Sequence, residues 1–203
     1  MLFNGNVIAI LRGITPADVI AQVTGLVDSG ISDVEIPANS PDWAQSIQAI
    51  KRHFGRQVNL GAGTIITTAQ VATCAQAGAD YVLTPNLDEN VVRACQAQGL
   101  ETCIGVYTST ELFAASALGA SALKIFPAAA LPANWPQLIK GPFCHATPFC
   151  AVGGIDADNM ADYLRYYDSV GIGSALYRPG QPPSLTRRRA VALMGRSPAG
   201  PAL

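Results

Sequence analysis

The run SALKIFPAA, residues 121–129, sets one lysine, Lys124, among apolar neighbours. Taking an ammonium out of water is costly unless it is paired or gives up its proton. A lysine in such a run is therefore either exposed or wanted for its chemistry. That chemistry is nucleophilic: desolvation lowers the pKa of an amine, and the free amine attacks a ketone to form a Schiff base. The iminium then acts as an electron sink, and a carboxylate of matched pKa can move protons at the carbon beside it. Glu35, in DVEIP, is the carboxylate that suits this role, and Phe126 would wall the amine against water.

Whether these residues meet depends on the elements that carry them. Short apolar or β-branched runs recur as NVIAILR, DVEIP, VNLGAGT, YVLTP, TCIGVY, ALKIFP, FCAVGG and SVGIGS, each followed by a helical pattern. Their ends, near Arg12, Pro37, Thr64, Pro85, Tyr107, Pro127, Gly154 and Ser174, lie about 20 to 27 residues apart, room for one strand, one short helix and two loops. This beat predicts an α/β fold: a (β/α)8 TIM barrel filling a single domain over 1–203, with a frayed Gly/Pro-rich tail at 195–203. An open doubly wound sheet is the alternative, but its first turn carries a glycine-rich dinucleotide fingerprint where this chain has ILRGITP. Thr15-Pro16 and Ser40-Pro41 read as helix starts, and Gly30, Gly78, Gly99 and Gly119 as helix ends. The segment 128–148 is proline-rich and weakly periodic, so a helix there should be short or irregular.

Strand side chains alternate between the barrel interior and the helix layer. If Leu123 and Ile125 meet the helices, Lys124 points inward. By the same parity Val34 and Ile36 go outward and Glu35 inward, while Ala9 and Leu11 go outward and Arg12 inward. Thr64 ends its strand on the face of Ala62 and is assigned to the interior too. A lysine, a glutamate, an arginine and a threonine then share the C-terminal mouth, where barrel enzymes keep their active sites. A buried structural Glu35–Lys124 ion pair is the competing reading, but it is an expensive way to fill a core. Two glycine-rich strand ends remain, AVGGID with Gly153 and Gly154, and VGIGSAL with Gly173 and Ser174. Each is read as leading into a helix, so that backbone N–H groups and helix dipoles converge on a phosphate site.

Composition narrows the partners. The chain has 203 residues, 49% of them hydrophobic and 13% charged, with a net charge of -1. It lacks the surplus of Lys and Arg that nucleic acid or an anionic membrane requires. The early apolar run VIAIL is too short for a signal peptide or a membrane span, so a cytoplasmic protein is expected. The cysteines at 74, 95, 103, 144 and 150 form no CxxC pair and read as reduced, buried hydrophobes. His53 and His145 have no ligand-spaced neighbours, so no metal site is expected. Arg187 to Arg189 read as a solvated helix face.

The stretches IAILRGITP, DVEIPANSP, LGAGT, TPN, ALKIFP, AVGG and GIGSALYRPG, in this order and spacing, resemble the small class I aldolases that act on 2-keto-3-deoxy-6-phospho sugar acids. The resemblance implies a trimeric (β/α)8 barrel that splits its substrate into pyruvate and glyceraldehyde 3-phosphate without a metal or other cofactor. It implies Lys124 as the Schiff-base residue and Glu35 as the general acid/base. Arg12, Thr64, Pro85 and Phe126 would be substrate contacts, with Thr64 toward the pyruvate carboxylate. Gly153, Gly154, Gly173 and Ser174 would form the phosphate cradle. Gluconate-type members carry an arginine four residues after the glutamate; Asn39 stands there in this chain, which resembles the galactonate type. A gluconate-type aldolase, a phosphosugar isomerase or epimerase working without a covalent intermediate, and a binding barrel without turnover are the alternatives.

Overall fold

Alternation along each strand divides the apolar residues into two separate cores. The computed structural model describes residues 2–143 and 146–195. In chain order it runs β1 (Val7–Ile10), α1 (Val19–Val27), β2 (Asp33–Pro37), α2 (Trp43–Phe54), β3 (Asn59–Gly63), α3 (Thr68–Ala77), β4 (Tyr81–Leu83) and α4 (Glu89–Ala97). It continues with β5 (Glu101–Val106), α5 (Ser109–Ala117), β6 (Ala122–Ile125), α6 (Trp135–Ile139), β7 (Phe149–Val152), α7 (Met160–Tyr163), β8 (Ser169–Ile172) and α8 (Pro183–Met194). The strands are parallel and close in sequence order, β8 pairing back onto β1, which is the expected (β/α)8 TIM barrel. One core lies between barrel and helices and contains Ala9, Leu11, Val34, Ile36, Leu123 and Ile125. The other fills the barrel itself with Ile8, Ile10, Tyr81, Leu83, Cys103, Ala122, Cys150 and Val152, closed below by Phe3.

The floor of the barrel is tied together by polar groups. Asp33 accepts hydrogen bonds from the backbone N–H of Asn4 (2.9 Å) and Gly5 (2.8 Å) and from Nδ2 of Asn59 (2.6 Å). This pins the N-terminal segment across the strand ends, so that the Phe3 ring meets Tyr81 edge-on with centroids 5.3 Å apart. Tyr81 is fully buried and donates its hydroxyl proton to the carbonyl of Val34 at 3.2 Å, satisfying its one polar group. Its ring lies where a Cβ on Gly61 would have to be, so the glycine on β3 is what admits the tyrosine.

The helix signals are met in part. Gly30, Gly78, Gly99 and Gly119 all take positive φ just past the helices they end, the conformation that favours glycine. The expected starts differ. Thr15 begins a turn rather than the helix, and α1 opens at Val19. Ser40 caps nothing on α2; its hydroxyl oxygen accepts the N–H of Gly13 at 2.8 Å and joins the loops after β1 and β2. As expected, α6 is short. Arg187 and Arg188 are exposed, but Arg189 is half-buried because its guanidinium reaches back to Gln181 Oε1 at 3.0 Å. Cys74, Cys95, Cys103 and Cys150 are buried free thiols. Cys144, His145 and all of the expected tail except Gly195 lie outside the described residues.

Truncating Phe3 to alanine removes the floor against which Tyr81 packs. Phe3→Ala is expected to lower the unfolding free energy by about 3 kcal/mol, the usual cost of deleting a buried phenyl ring. Urea titration reads this as a lower midpoint at unchanged slope.

Candidate active site

The mouth is built on the inward parity of β1, β2 and β6. Lys124 is 5% exposed and Glu35 is 1% exposed, both in the barrel interior, with Val34, Ile36, Leu123 and Ile125 packed outward around them. Lys124 pairs with Gly105 on β5 and Cys150 on β7. A side chain on Gly105 would collide with the backbone of Pro85 and Asn86, so the glycine lets the chain after β4 close over β5, the neighbour of the lysine strand. The carboxyl group of Glu35 fills the place that a side chain on Gly63 would take. Nζ of Lys124 lies 4.9 Å from the centroid of the Phe126 ring, a cation–π arrangement on the solvent side of the amine. Phe126 is itself 37% exposed, so it screens one side of the lysine rather than sealing it.

Burial pushes the Glu35 carboxyl above its usual range; the charges of Lys124 and then Arg12 pull the other way without overcoming it. Its Oε2 is buried and has no hydrogen-bond partner. Ion pairs among the described residues join Lys51 to Asp80, Arg93 to Glu89 and Arg165 to Asp162. Lys124 and Glu35 feel each other's charge without forming one, which sets aside the structural ion pair. A buried carboxyl oxygen left unpaired is expensive, and here it lies in the interior that Glu35 shares with Lys124.

Above them a cleft of about 570 Å³ opens over β7, β8 and β1. Its wall includes Arg12, Phe126, Gly153, Gly154, Gly173 and Ser174, so six of the expected site residues converge on one space. Lys124 and Glu35 lie below this wall, and the cleft meets the lysine at Phe126. Arg12 donates through Nη1 to Asn39 Oδ1 at 2.6 Å and to Thr64 Oγ1 at 3.3 Å. The parity assigned to β3 is corrected: Ala62 packs outward, and Gly61 and Gly63 line the interior. Thr64 nonetheless reaches the mouth because its φ of 57° turns the chain at the strand end. Pro85 sits against Gly105 and not on the cleft wall.

The helix-dipole expectation is also corrected. Gly153 and Gly154, at φ 95° and 79°, form a turn, and α7 begins only at Met160 and is four residues long. After β8 the chain makes one turn, with the N–H of Tyr177 bonded to the carbonyl of Gly173 at 2.9 Å, and α8 begins only at Pro183. Neither glycine pair opens a helix. Asn39 stands where the gluconate-type pattern has an arginine and is found bonded to Arg12, while sequence reasoning missed Arg178 on the cleft wall; GIGSALYRPG contains the arginine, but spacing alone does not show that it folds back. A second cleft of about 480 Å³, at the start of β7 between Pro136, Phe149 and Tyr166, holds none of the expected residues. No group of three or more His, Cys, Asp or Glu able to hold a metal occurs among the described residues.

Comparison with known proteins identifies the family and matches the fold. The family model for KDPG and KHG aldolase matches residues 1–181. The 2-dehydro-3-deoxy-6-phosphogalactonate aldolase of Escherichia coli strain K12 is 40% identical over 188 residues, covering 92% of each chain. A solved structure named "Native KDPGal structure" superposes with a TM-score of 0.90 at 39% identity, covering 94% of this chain and 93% of that one. A cube-shaped protein cage designed by fusing symmetric oligomeric domains superposes at 0.91 and 39% identity, over 95% of this chain and 72% of that one.

The raised Glu35 pKa has a signed consequence for stability. A carboxyl whose folded pKa exceeds its unfolded one, near 4.5, binds more protons when folded, so its contribution to stability is lost as pH rises from that value through the folded pKa. Glu35→Gln cannot ionise. Its unfolding free energy relative to wild type is expected to climb across that window, by up to about 1.4 kcal/mol per pH unit. Parallel urea titrations between pH 4 and 8 check this; a constant difference would contradict it.

Proposed function

Since the chain belongs to the KDPG and KHG aldolase family, we propose that it cleaves 2-dehydro-3-deoxy-6-phosphogalactonate to pyruvate and glyceraldehyde 3-phosphate, with Lys124 as nucleophile and Glu35 as general acid/base. The enzyme is a carbon–carbon lyase of the Schiff-base class. The observation that carries the residue assignment is the buried Lys124 beside a buried Glu35 whose Oε2 has no partner.

In this mechanism the Lys124 amine attacks C2 of the keto acid, and protonated Glu35 gives its proton to the carbinolamine hydroxyl, which leaves as water and yields the iminium. Glu35, as carboxylate, takes the proton of the C4 hydroxyl. The C3–C4 bond breaks, its electron pair moves into the iminium to form an enamine, and the phosphorylated aldehyde departs. The protonated Glu35 then returns the proton to C3, and water hydrolyses the new iminium to pyruvate and free lysine. Each proton that leaves substrate oxygen arrives at substrate carbon, so one carboxyl group suffices. A pKa raised by burial suits a group that must both accept and donate near neutral pH.

Arg12 is positioned for a carboxylate or hydroxyl of the substrate, steadied by Asn39 and Thr64. Gly153, Gly154, Gly173 and Ser174 line the other end of the cleft, where the phosphate would sit. Pro85 packs over Gly105 of β5, the neighbour of the lysine strand. The galactonate epimer is favoured by the name of the 40% identical relative and by Asn39, which leaves the site one guanidinium fewer than the gluconate pattern. A cytoplasmic homotrimer is the working state, in keeping with the symmetric domains of the cage. No helix among the described residues is long and apolar enough to cross a membrane.

Borohydride reduction in the presence of pyruvate should leave a stable adduct on Lys124 and none in Lys124→Ala; an unmodified wild type would refute the covalent mechanism. Comparison of kcat/KM for the two C4 epimers of the phosphorylated acid should favour the galactonate form. A preference for the gluconate form would reassign the substrate. Light scattering should give a mass near three times 21.1 kDa, and a monomer or dimer mass would remove the trimer.

A further inference from the structure

A substrate phosphate is a dianion near neutral pH, and the glycine turns after β7 and β8 offer it backbone N–H groups without the full helix dipole that such sites use elsewhere. The compensating charge has to come from a side chain. The charged residues on the cleft wall are Arg12, Asp156 and Arg178. Arg12 is drawn toward Asn39 and Thr64, over β2 and β3 and away from the glycine turns. Asp156 is turned to its own loop, where Oδ1 accepts the N–H of Asp158 at 2.9 Å and of Asn159 at 3.2 Å.

We infer that Arg178 is the cation that binds the phosphate of the substrate, an assignment that rests on the aldolase reading of the site. Its Nε donates to the carbonyl of Ser174 at 3.2 Å, folding the side chain back over the turn that carries Gly173 and Ser174. The two terminal nitrogens of the guanidinium make no hydrogen bond among the described residues and remain available to oxygen acceptors. The backbone beneath is held firmly. Arg178 N–H donates to Gln181 Oε1 at 3.1 Å, and Gln181 Nε2 donates to the carbonyl of Leu176 at 2.9 Å and to Thr186 Oγ1 at 2.6 Å. Thr186 is fully buried and donates to Gln22, whose Nε2 donates to the Gln181 carbonyl at 2.7 Å. Arg189 adds a further bond to Gln181 Oε1. A surface loop ordered by so many side-chain bonds presents its arginine at a fixed place, which suits a planar fork meeting phosphate oxygens.

The test uses the phosphorylated acid, the same acid without its phosphate, and three proteins: wild type, Arg178→Ala and Arg178→Lys. The ratio of kcat/KM for phosphorylated over unphosphorylated acid should fall roughly 10- to 100-fold in Arg178→Ala, the scale of a lost charge-assisted hydrogen bond. It should recover in part in Arg178→Lys, which keeps the charge but loses the fork. Inorganic phosphate should inhibit wild type competitively, with a Ki that rises by a similar factor in Arg178→Ala. An equal loss on both acids, which a collapsed turn would cause, or an unchanged ratio would overturn the assignment. If wild type releases pyruvate from neither acid, the aldolase reading fails by itself. Calorimetric titration of inorganic phosphate into wild type and Arg178→Ala then decides the matter: weaker binding by the variant upholds Arg178, and equal or absent binding overturns it.

Discussion

Space inside a closed barrel is the constraint on which the rest of this structure depends. Eight inward-facing sets of side chains compete for one narrow interior, and packing at normal density would leave no room for two long polar ones. This chain leaves glycine at inward positions on β3, β5 and β8. Gly63 yields its place to the Glu35 carboxyl, Gly61 admits the Tyr81 ring, Gly105 lets the chain after β4 close over β5, and Gly171 lies against Val152 and Ile10. Glutamate and lysine can therefore stand in the interior, extended and buried, without distorting the strands. The glycines weaken their strands by their flexibility, and the closed ring of parallel pairing around them supplies the rigidity they lack.

Desolvation follows from that placement. Glu35 is more deeply buried than any surface pair could be, and neither Lys124 nor Arg12 comes close enough to neutralise the effect. An ion pair with Lys124 would hold the Glu35 carboxyl in its charged form. Without that ion pair the effect of burial prevails, and the Glu35 carboxyl stays above its usual range. Below this level the interior turns apolar, with Leu83, Cys103, Ala122 and Cys150, and the floor is closed by Phe3 and Tyr81.

The parts of this arrangement carried by strand periodicity were legible in the sequence. ALKIFP and DVEIP alternate cleanly, so the inward direction of Lys124 and Glu35 follows from period two alone. LGAGT does not alternate in any informative way, since Gly61, Ala62 and Gly63 are all small. Its parity cannot be read from such residues, and Thr64 reaches the mouth through its turn rather than through alternation. The turns after β7 and β8 failed similarly. AVGGID and VGIGSAL contain glycines that fit a helix entry equally well as an isolated turn, and only long-range contacts, such as Gly154 against Ala129, decide between them. Ser40 shows the same limit: a serine before proline has the local signature of a cap, while its partner, Gly13, is 27 residues away.

Thr64 also shows what the mouth asks of the backbone. A β-branched residue in the left-handed region is strained, at a cost of about 1–3 kcal/mol, and persists only where the surroundings over-determine it. Here the chain before it is fixed in β3 and that after it by the N–H of Ile65, bonded to the carbonyl of Leu83 at 3.3 Å. A glycine would relieve the strain but would bring no hydroxyl to Arg12. Asn39 supplies the second acceptor for the same nitrogen of the guanidinium. Two neutral acceptors steady the arginine without consuming its charge, whereas a carboxylate there would pair with it and cancel the field that an anionic substrate must feel. The strain at Thr64 is thus tied to orienting Arg12 at the rim by neutral acceptors rather than by a carboxylate.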